Sequence, residues 1–163
     1  MIKESNRLNS VKEYYFSKKL REVAKLIQSG KPIINMGIGS PDLFPSKSVI
    51  GALKKSLSDQ TAHKYQSYQG LTEFRESISN FYLKYFDVQS NPENEVLPLM
   101  GSKEGIMHIS MAFLNTEDEV LIPNPGYPTY CSVTKLVGAK PVFYDRSKEN
   151  NWFPNLTDLE KTN

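Results

Sequence analysis

A single cysteine, Cys131, is all the thiol this sequence has. One cysteine excludes an internal disulfide and a cysteine-based zinc site. His63 and His108 are the only histidines and stand far apart. Without partner spacing each reads as an ordinary polar or packing residue, and no metal site is expected. No apolar run approaches the ~18 residues that a membrane-spanning helix needs. Met1 to Arg7 carry charges with no apolar core behind them, which is not the pattern of a secretory signal. A reduced, cytoplasmic setting is the expectation. Charge of one sign is also scarce: 20 Lys and Arg against 18 Asp and Glu leave a net of +2. The resulting pI of 8.5 falls short of a dedicated nucleic-acid binder. Neither nucleic acid nor a membrane is expected as a partner.

The 163 residues correspond to one ordinary domain, short of a typical two-domain enzyme. Ten prolines and nine glycines are dispersed, which points to many ordered turns rather than low complexity. No internal repeat is present. Basic residues gather in 1–31 and acidic ones in 87–119. Aromatic and apolar residues (Tyr14, Tyr15, Phe16, Leu20) interrupt the basic stretch, so both runs read as solvated faces. Asn155-Leu156-Thr157 fits a glycosylation sequon, without a secretory signal to support its use.

Ser10-x-x-Glu13 has capping-box spacing, and the apolar positions after it predict a helix to about Gln28, stopped by Gly30 and Pro32. Ile33–Met36 reads as extended. Val49, Ile50, Leu53 and Leu57 mark a second helix. Leu71, Phe74, Ile78, Phe81, Tyr82 and Tyr85 give the clearest amphipathic pattern in the chain. From residue 96 the prediction is strand (Val96–Met100), helix opening at Ser102, strand (Val120–Ile122), helix (Tyr130–Val137, stopped by Gly138) and strand (Pro141–Tyr144). Thr157-x-x-Glu160 is a further capping box. Short strands alternating with helices indicate βαβ units and a mostly parallel sheet, with ligands at the loops that follow the strands.

Four of the loops carry candidate chemistry. Gly37-x-Gly39-x-x-Asp42 lacks the third glycine of a dinucleotide loop, and Pro41 sits where the helix would begin. It reads as a plain turn, or as a glycine that lets backbone approach a small ligand. Gly101-Ser102-Lys103-Glu104-Gly105 lies between a predicted strand and helix. Helix-start N–H groups, a hydroxyl and an ammonium suit a phosphate; a capped helix start with an exposed lysine is the alternative. The spacing is not that of a Walker A loop. Pro123-Asn124-Pro125-Gly126-Tyr127-Pro128-Thr129-Tyr130 is a stiff loop that aims Tyr127 in a set direction, either to stack on a planar ring or to pack. Tyr65-x-x-x-x-Gly70-x-x-x-x-Arg75 precedes the long helix, where a phenol can reach a phosphate or simply pack.

Taken together and in this order, GIGSPD, the Tyr65-to-Arg75 spacing, GSKEGI and PNPGYPTY resemble the N-terminal part of the class I/II aminotransferases, fold-type-I enzymes that use pyridoxal 5′-phosphate. The resemblance runs from about Tyr14 to the end. It implies an α/β fold: an incomplete large domain with a mostly parallel sheet, in residues 46–163, behind a helical N-terminal arm and substrate loop in 1–45. It implies that Ser102 and Lys103 bind the cofactor phosphate, that Tyr127 stacks on the pyridine ring, and that Tyr65 reaches the phosphate of a neighbouring subunit in a homodimer. Gly39 would meet the substrate carboxylate. Tyr14, in a Tyr14-Tyr15-Phe16 segment similar to the LL-diaminopimelate aminotransferase branch, would contact substrate. The family's Schiff-base lysine, the aspartate facing the pyridine nitrogen and the carboxylate-clamping arginine have no counterpart in these residues. No catalytic residue is therefore assigned, Lys103 belongs to the phosphate loop, and this chain is expected to be a front portion that is inactive alone. The implied activity is amino transfer between an amino acid and a 2-oxo acid. Another reaction of the same fold (a C–S lyase or a synthase) and a non-catalytic phosphate-ligand binder stand as alternatives.

Overall fold

The structure is a computed structural model and describes residues 2–10 and 13–160. The chain divides into two compact units, Glu13–Pro98 and Met1–Lys12 with Leu99–Asn163.

The Glu13–Pro98 unit is helical. Helix α1 spans Tyr15–Gln28, with Leu20, Val23 and Leu26 half-buried along one stripe. Its end follows from Gly30, whose φ of +82° allows two closing bonds: the Gly30 N–H donates to Ile27 O at 2.9 Å and the Lys31 N–H to Leu26 O at 3.1 Å. That is the left-handed helix stop that glycine makes cheaply. The helix begins later than predicted, and the expected Ser10–Glu13 capping box includes residues outside those described. Helix α2 spans Lys47–Ser56, and the Ser46 hydroxyl caps it by accepting from the Val49 N–H. Helix α3 spans Thr72–Phe86. Before it, Gly70 takes φ +84°, and a Cβ there would lie 3.0 Å from the Pro98 ring. Arg75 on α3 is 3% exposed. Its guanidinium donates to the Pro92 carbonyl and, at 3.2 Å, to the Thr72 hydroxyl, with Glu93 3.9 Å away. It thereby fastens the 88–95 loop to the helix.

The other unit holds one βαβ crossover. Helix α4 spans Ser102–Phe113, strand β1 Glu119–Asn124, helix α5 Pro128–Val137 and strand β2 Lys140–Asp145. The strands pair in parallel, from Glu119 opposite Lys140 to Asn124 opposite Asp145. Pro128 opens α5 in the first turn, where its missing N–H costs no helix bond. Gly138, at φ +91°, closes it. Ile122, Val133 and Ala139 are the buried apolar residues, with Thr134 beside them bonding back to the Tyr130 carbonyl at 2.8 Å. A short helix, α6, covers Leu156–Leu159.

Two expectations change. Val96–Met100 forms no strand: Pro98 lacks a donor, and no strand pairs with this segment among the described residues. Leu99 instead lays its side chain on α4, where a Cβ at Gly105 would come within 2.5 Å of it. Ile33–Met36, read only as extended, is neither helical nor paired in a ladder among the described residues. Thr157 lies inside α6 and does not cap it; Asn155 stands at the cap, its amide donating to Asp158 at 2.6 Å. The α/β class and the parallel pairing stand as expected.

Candidate functional site

Parallel strands deliver their following loops to one sheet edge. Here β1 ends at Asn124 and β2 at Asp145, opposite each other. The loop leaving β1 contains a cis Asn124–Pro125 peptide bond. Gly126 has no substitute at this point, since a Cβ would fall 2.1 Å from the Pro123 carbonyl oxygen. The turn therefore closes on itself and presents Tyr127 as the residue capping α5, with backbone φ −72° and ψ 124°. Its ring meets that of Tyr130 edge-on at 5.7 Å and 83°.

Helix α4 begins beside it. Gly101 precedes the helix with φ +100° and supplies no side-chain cap. The first N–H groups of a helix lack intrahelical acceptors, so this start is open to an anion. The one carboxylate in the first turn, Glu104, is turned back onto the Met100 N–H at 2.5 Å. Ser102 and Lys103 are exposed. The Lys103 Nζ lies 5.8 Å from the centre of the Tyr127 ring. The Tyr127 phenol is held below its ordinary value, first by its hydrogen bond with the Thr129 side chain and then by Lys103; partial desolvation opposes both.

The structure thus brings Ser102, Lys103 and Tyr127 together. Tyr14, Gly39 and Tyr65 belong to the other unit. Tyr14 caps α1, its ring 5.6 Å from Phe16. Gly39 lies in an irregular loop, and a Cβ there would meet nothing within 4 Å. Tyr65 is fully exposed before α3. Tyr130, by its place in the helix a core candidate, is 38% exposed. It lines a hollow of about 310 Å³ with Ile106, Val120 and Ile122 and with the hydroxyl-bearing Ser110, Thr134 and Tyr144. Sequence reasoning missed the residues that brace the loop. The Asn124 amide donates to the Asp145 carboxylate at 2.8 Å, and the Arg146 N–H donates to the Asn124 carbonyl at 2.8 Å. Polar residues at the ends of adjacent parallel strands were the available signal.

The family model for aminotransferase class I and II matches residues 31–162. The chain belongs to this family. An LL-diaminopimelate aminotransferase from Aquifex aeolicus is 38% identical over 159 residues, covering 98% of this chain and 41% of the relative. An alanine aminotransferase structure from Pyrococcus furiosus superposes with a TM-score of 0.89 at 29% identity, covering 99% of this chain and 41% of that one. An aspartate aminotransferase from Rhizobium meliloti, at 22% identity and a TM-score of 0.91, shares the fold, covering all of this chain and 40% of its own length. The chain spans about two fifths of the length of the curated relatives it matches. Its α/β arrangement is accordingly part of a fold-type-I aminotransferase domain.

Proposed function

We propose that this chain supplies the phosphate- and ring-binding part of a pyridoxal 5′-phosphate-dependent aminotransferase. The observation that carries the reading is the juxtaposition of an uncapped helix start, the Lys103 ammonium and the Tyr127 ring. An anion site beside an aromatic face fits a phosphorylated planar ring. Ser102 and Lys103, through the α4 backbone and the lysine charge, hold the phosphate. Tyr127 stacks on the ring, and its loop keeps it there at small entropic cost. Pyridoxal phosphate, when bound, supplies the electron sink that lets an amino group pass from an amino acid to a 2-oxo acid.

In this reading residues 1–45 are the arm and substrate loop, and 46–163 the first part of the cofactor domain. Gly39 and Tyr14 serve the substrate, and Tyr65 reaches the phosphate site of the second subunit in a cytoplasmic homodimer. The Aquifex aeolicus relative makes LL-diaminopimelate the first amino donor to assay. The test is the in-frame coding sequence beyond Asn163. The protein expressed from that whole frame should contain an Asn-x-Pro stretch and a Ser/Thr-rich segment with a lysine, and should transfer an amino group to a 2-oxo acid only with the cofactor. Cofactor-independent turnover, or ligand binding without turnover in that protein, would contradict the proposal.

A further inference from the structure

The loop that carries Tyr127 is poor in the means to hold itself. Pro123, Pro125 and Pro128 have no N–H, so its carbonyls must find donors elsewhere. Both carbonyls that flank the cis Asn124–Pro125 bond are taken by one residue. The Arg146 backbone N–H donates to Asn124 O at 2.8 Å, and the Arg146 guanidinium Nη2 donates to Pro125 O. Arg146 Nε is buried and makes no hydrogen bond, so the side chain grips the loop through Nη2. Asp145, next to it, accepts from the Asn124 amide. Gly126 then transmits the position of Pro125 to Tyr127, because its backbone closes against the Pro123 carbonyl with no room for a side chain.

We propose that Arg146 is a positioning residue for the candidate cofactor site, holding the Pro125 carbonyl so that the Tyr127 ring stays beside Lys103 at the start of α4. This rests on the reading of Tyr127 as the ring that stacks on the cofactor. Arg146 touches neither Lys103 nor Tyr127 through any bond described above; it acts through the loop. The charged group that meets Tyr127 is Lys103 from α4, with Thr129 and Tyr130 from α5 as its other neighbours.

The test compares Arg146→Met, which keeps the stem and removes the donor, with Arg146→Lys, which keeps a charged donor on a stem nearly as long. Both are made in the full chain. The readout is the pH profile of nitration by tetranitromethane at Tyr127, followed by peptide mass and compared with the same residue in the unmodified chain. Nitration consumes the phenolate, so a tyrosine kept beside an ammonium nitrates at lower pH. In the unmodified chain the Thr129 hydrogen bond and Lys103 both hold the Tyr127 profile down. In Arg146→Met the Tyr127 profile should move to higher pH as the ring leaves Lys103, with the Thr129 contribution kept, and in Arg146→Lys it should stay as in the unmodified chain. Pyridoxine 5′-phosphate binding, measured alongside, should weaken about 2- to 13-fold in Arg146→Met only, the range that loss of a held aromatic contact gives. An unmoved Tyr127 profile in Arg146→Met overturns the proposal. Loss of the folded far-UV spectrum in both variants assigns Arg146 to stability and also overturns it. If the unmodified chain binds no pyridoxine 5′-phosphate, the cofactor reading fails, while the nitration profiles still decide whether Arg146 positions Tyr127.

Discussion

Replacing Tyr127 by alanine separates ligand binding from folding. The side chain is 38% exposed, and its main internal contact is the edge of Tyr130 at 5.7 Å. The start of α5 rests on backbone, with the Tyr130 N–H donating to the Tyr127 carbonyl at 3.1 Å and Pro128 in the first turn. Both survive the substitution. A stacked ring contributes about 0.5–1.5 kcal/mol beyond its area, which converts to a 2- to 13-fold weaker dissociation constant, roughly. The lost contact with Tyr130 costs on the order of 1 kcal/mol in stability, or roughly 2–4 °C in Tm for a chain of this size. Tyr130→Ala should show the reverse weighting. It enlarges the hollow beside Ile106, Val120 and Ile122 and should cost about 1–3 kcal/mol, below the ~3–5 kcal/mol of a fully buried aromatic. Isothermal titration with pyridoxine 5′-phosphate is the assay, because that ligand lacks the aldehyde that would label surface lysines. If Tyr130→Ala weakened binding more than Tyr127→Ala, while Tyr127→Ala only lowered the Tm, the loop would be assigned one helical turn out of place.

Gly126→Ala forces a Cβ to within 2.1 Å of the Pro123 oxygen, so the backbone must move. About 1–3 kcal/mol of destabilisation is expected, read as an earlier urea midpoint, together with weaker ligand binding; an unchanged midpoint would refute the geometry of the turn. Arg75→Met removes the donor to the Pro92 carbonyl from a residue only 3% exposed, and should cost about 1.5–3 kcal/mol by urea titration without altering binding at Lys103. The chain by itself should associate. Many large apolar side chains are exposed, among them Phe74, Phe81 and Phe86 on α3 at 51–60%. Light scattering after size exclusion should show species above 18.6 kDa; a strictly monomeric, cooperatively melting chain would count against it.

The helices were legible because their signals are local. The stripe from Leu71 to Tyr85 and the Gly30 and Gly138 stops each depend only on near neighbours in the chain, whereas Pro128, read as part of the stiff loop, opens α5 two residues before the predicted start. Strands β1 and β2 were legible because each is a short apolar run between turn residues. Val96–Met100 was misread because a strand exists only with a partner, and an apolar run does not show whether one lies beside it. The Thr157-x-x-Glu160 capping signal failed for a similar reason: it has the spacing, but Asn155 reaches Asp158 first. At the candidate site, the motifs pointed to Ser102, Lys103 and Tyr127, since a helix start and a proline-stiffened turn are both written in contiguous residues, and the structure sets Lys103 beside the Tyr127 ring. Asp145 and Arg146 were not found, because they act on Asn124 and Pro125 across 21 residues of sequence. Only the parallel register of β1 and β2 brings them together.

The central claim is that the α4 start and the Tyr127 loop form one site for a phosphorylated ring. Its most direct measurement is isothermal titration of the full chain with pyridoxine 5′-phosphate, pyridoxine and inorganic phosphate in parallel. The phosphorylated ring should bind more tightly than either part, Tyr127→Ala should weaken it while leaving inorganic phosphate unaffected, and Lys103→Met should weaken both phosphate-bearing ligands. Equal binding of pyridoxine and its phosphate, or loss of inorganic phosphate binding in Tyr127→Ala, would contradict the claim.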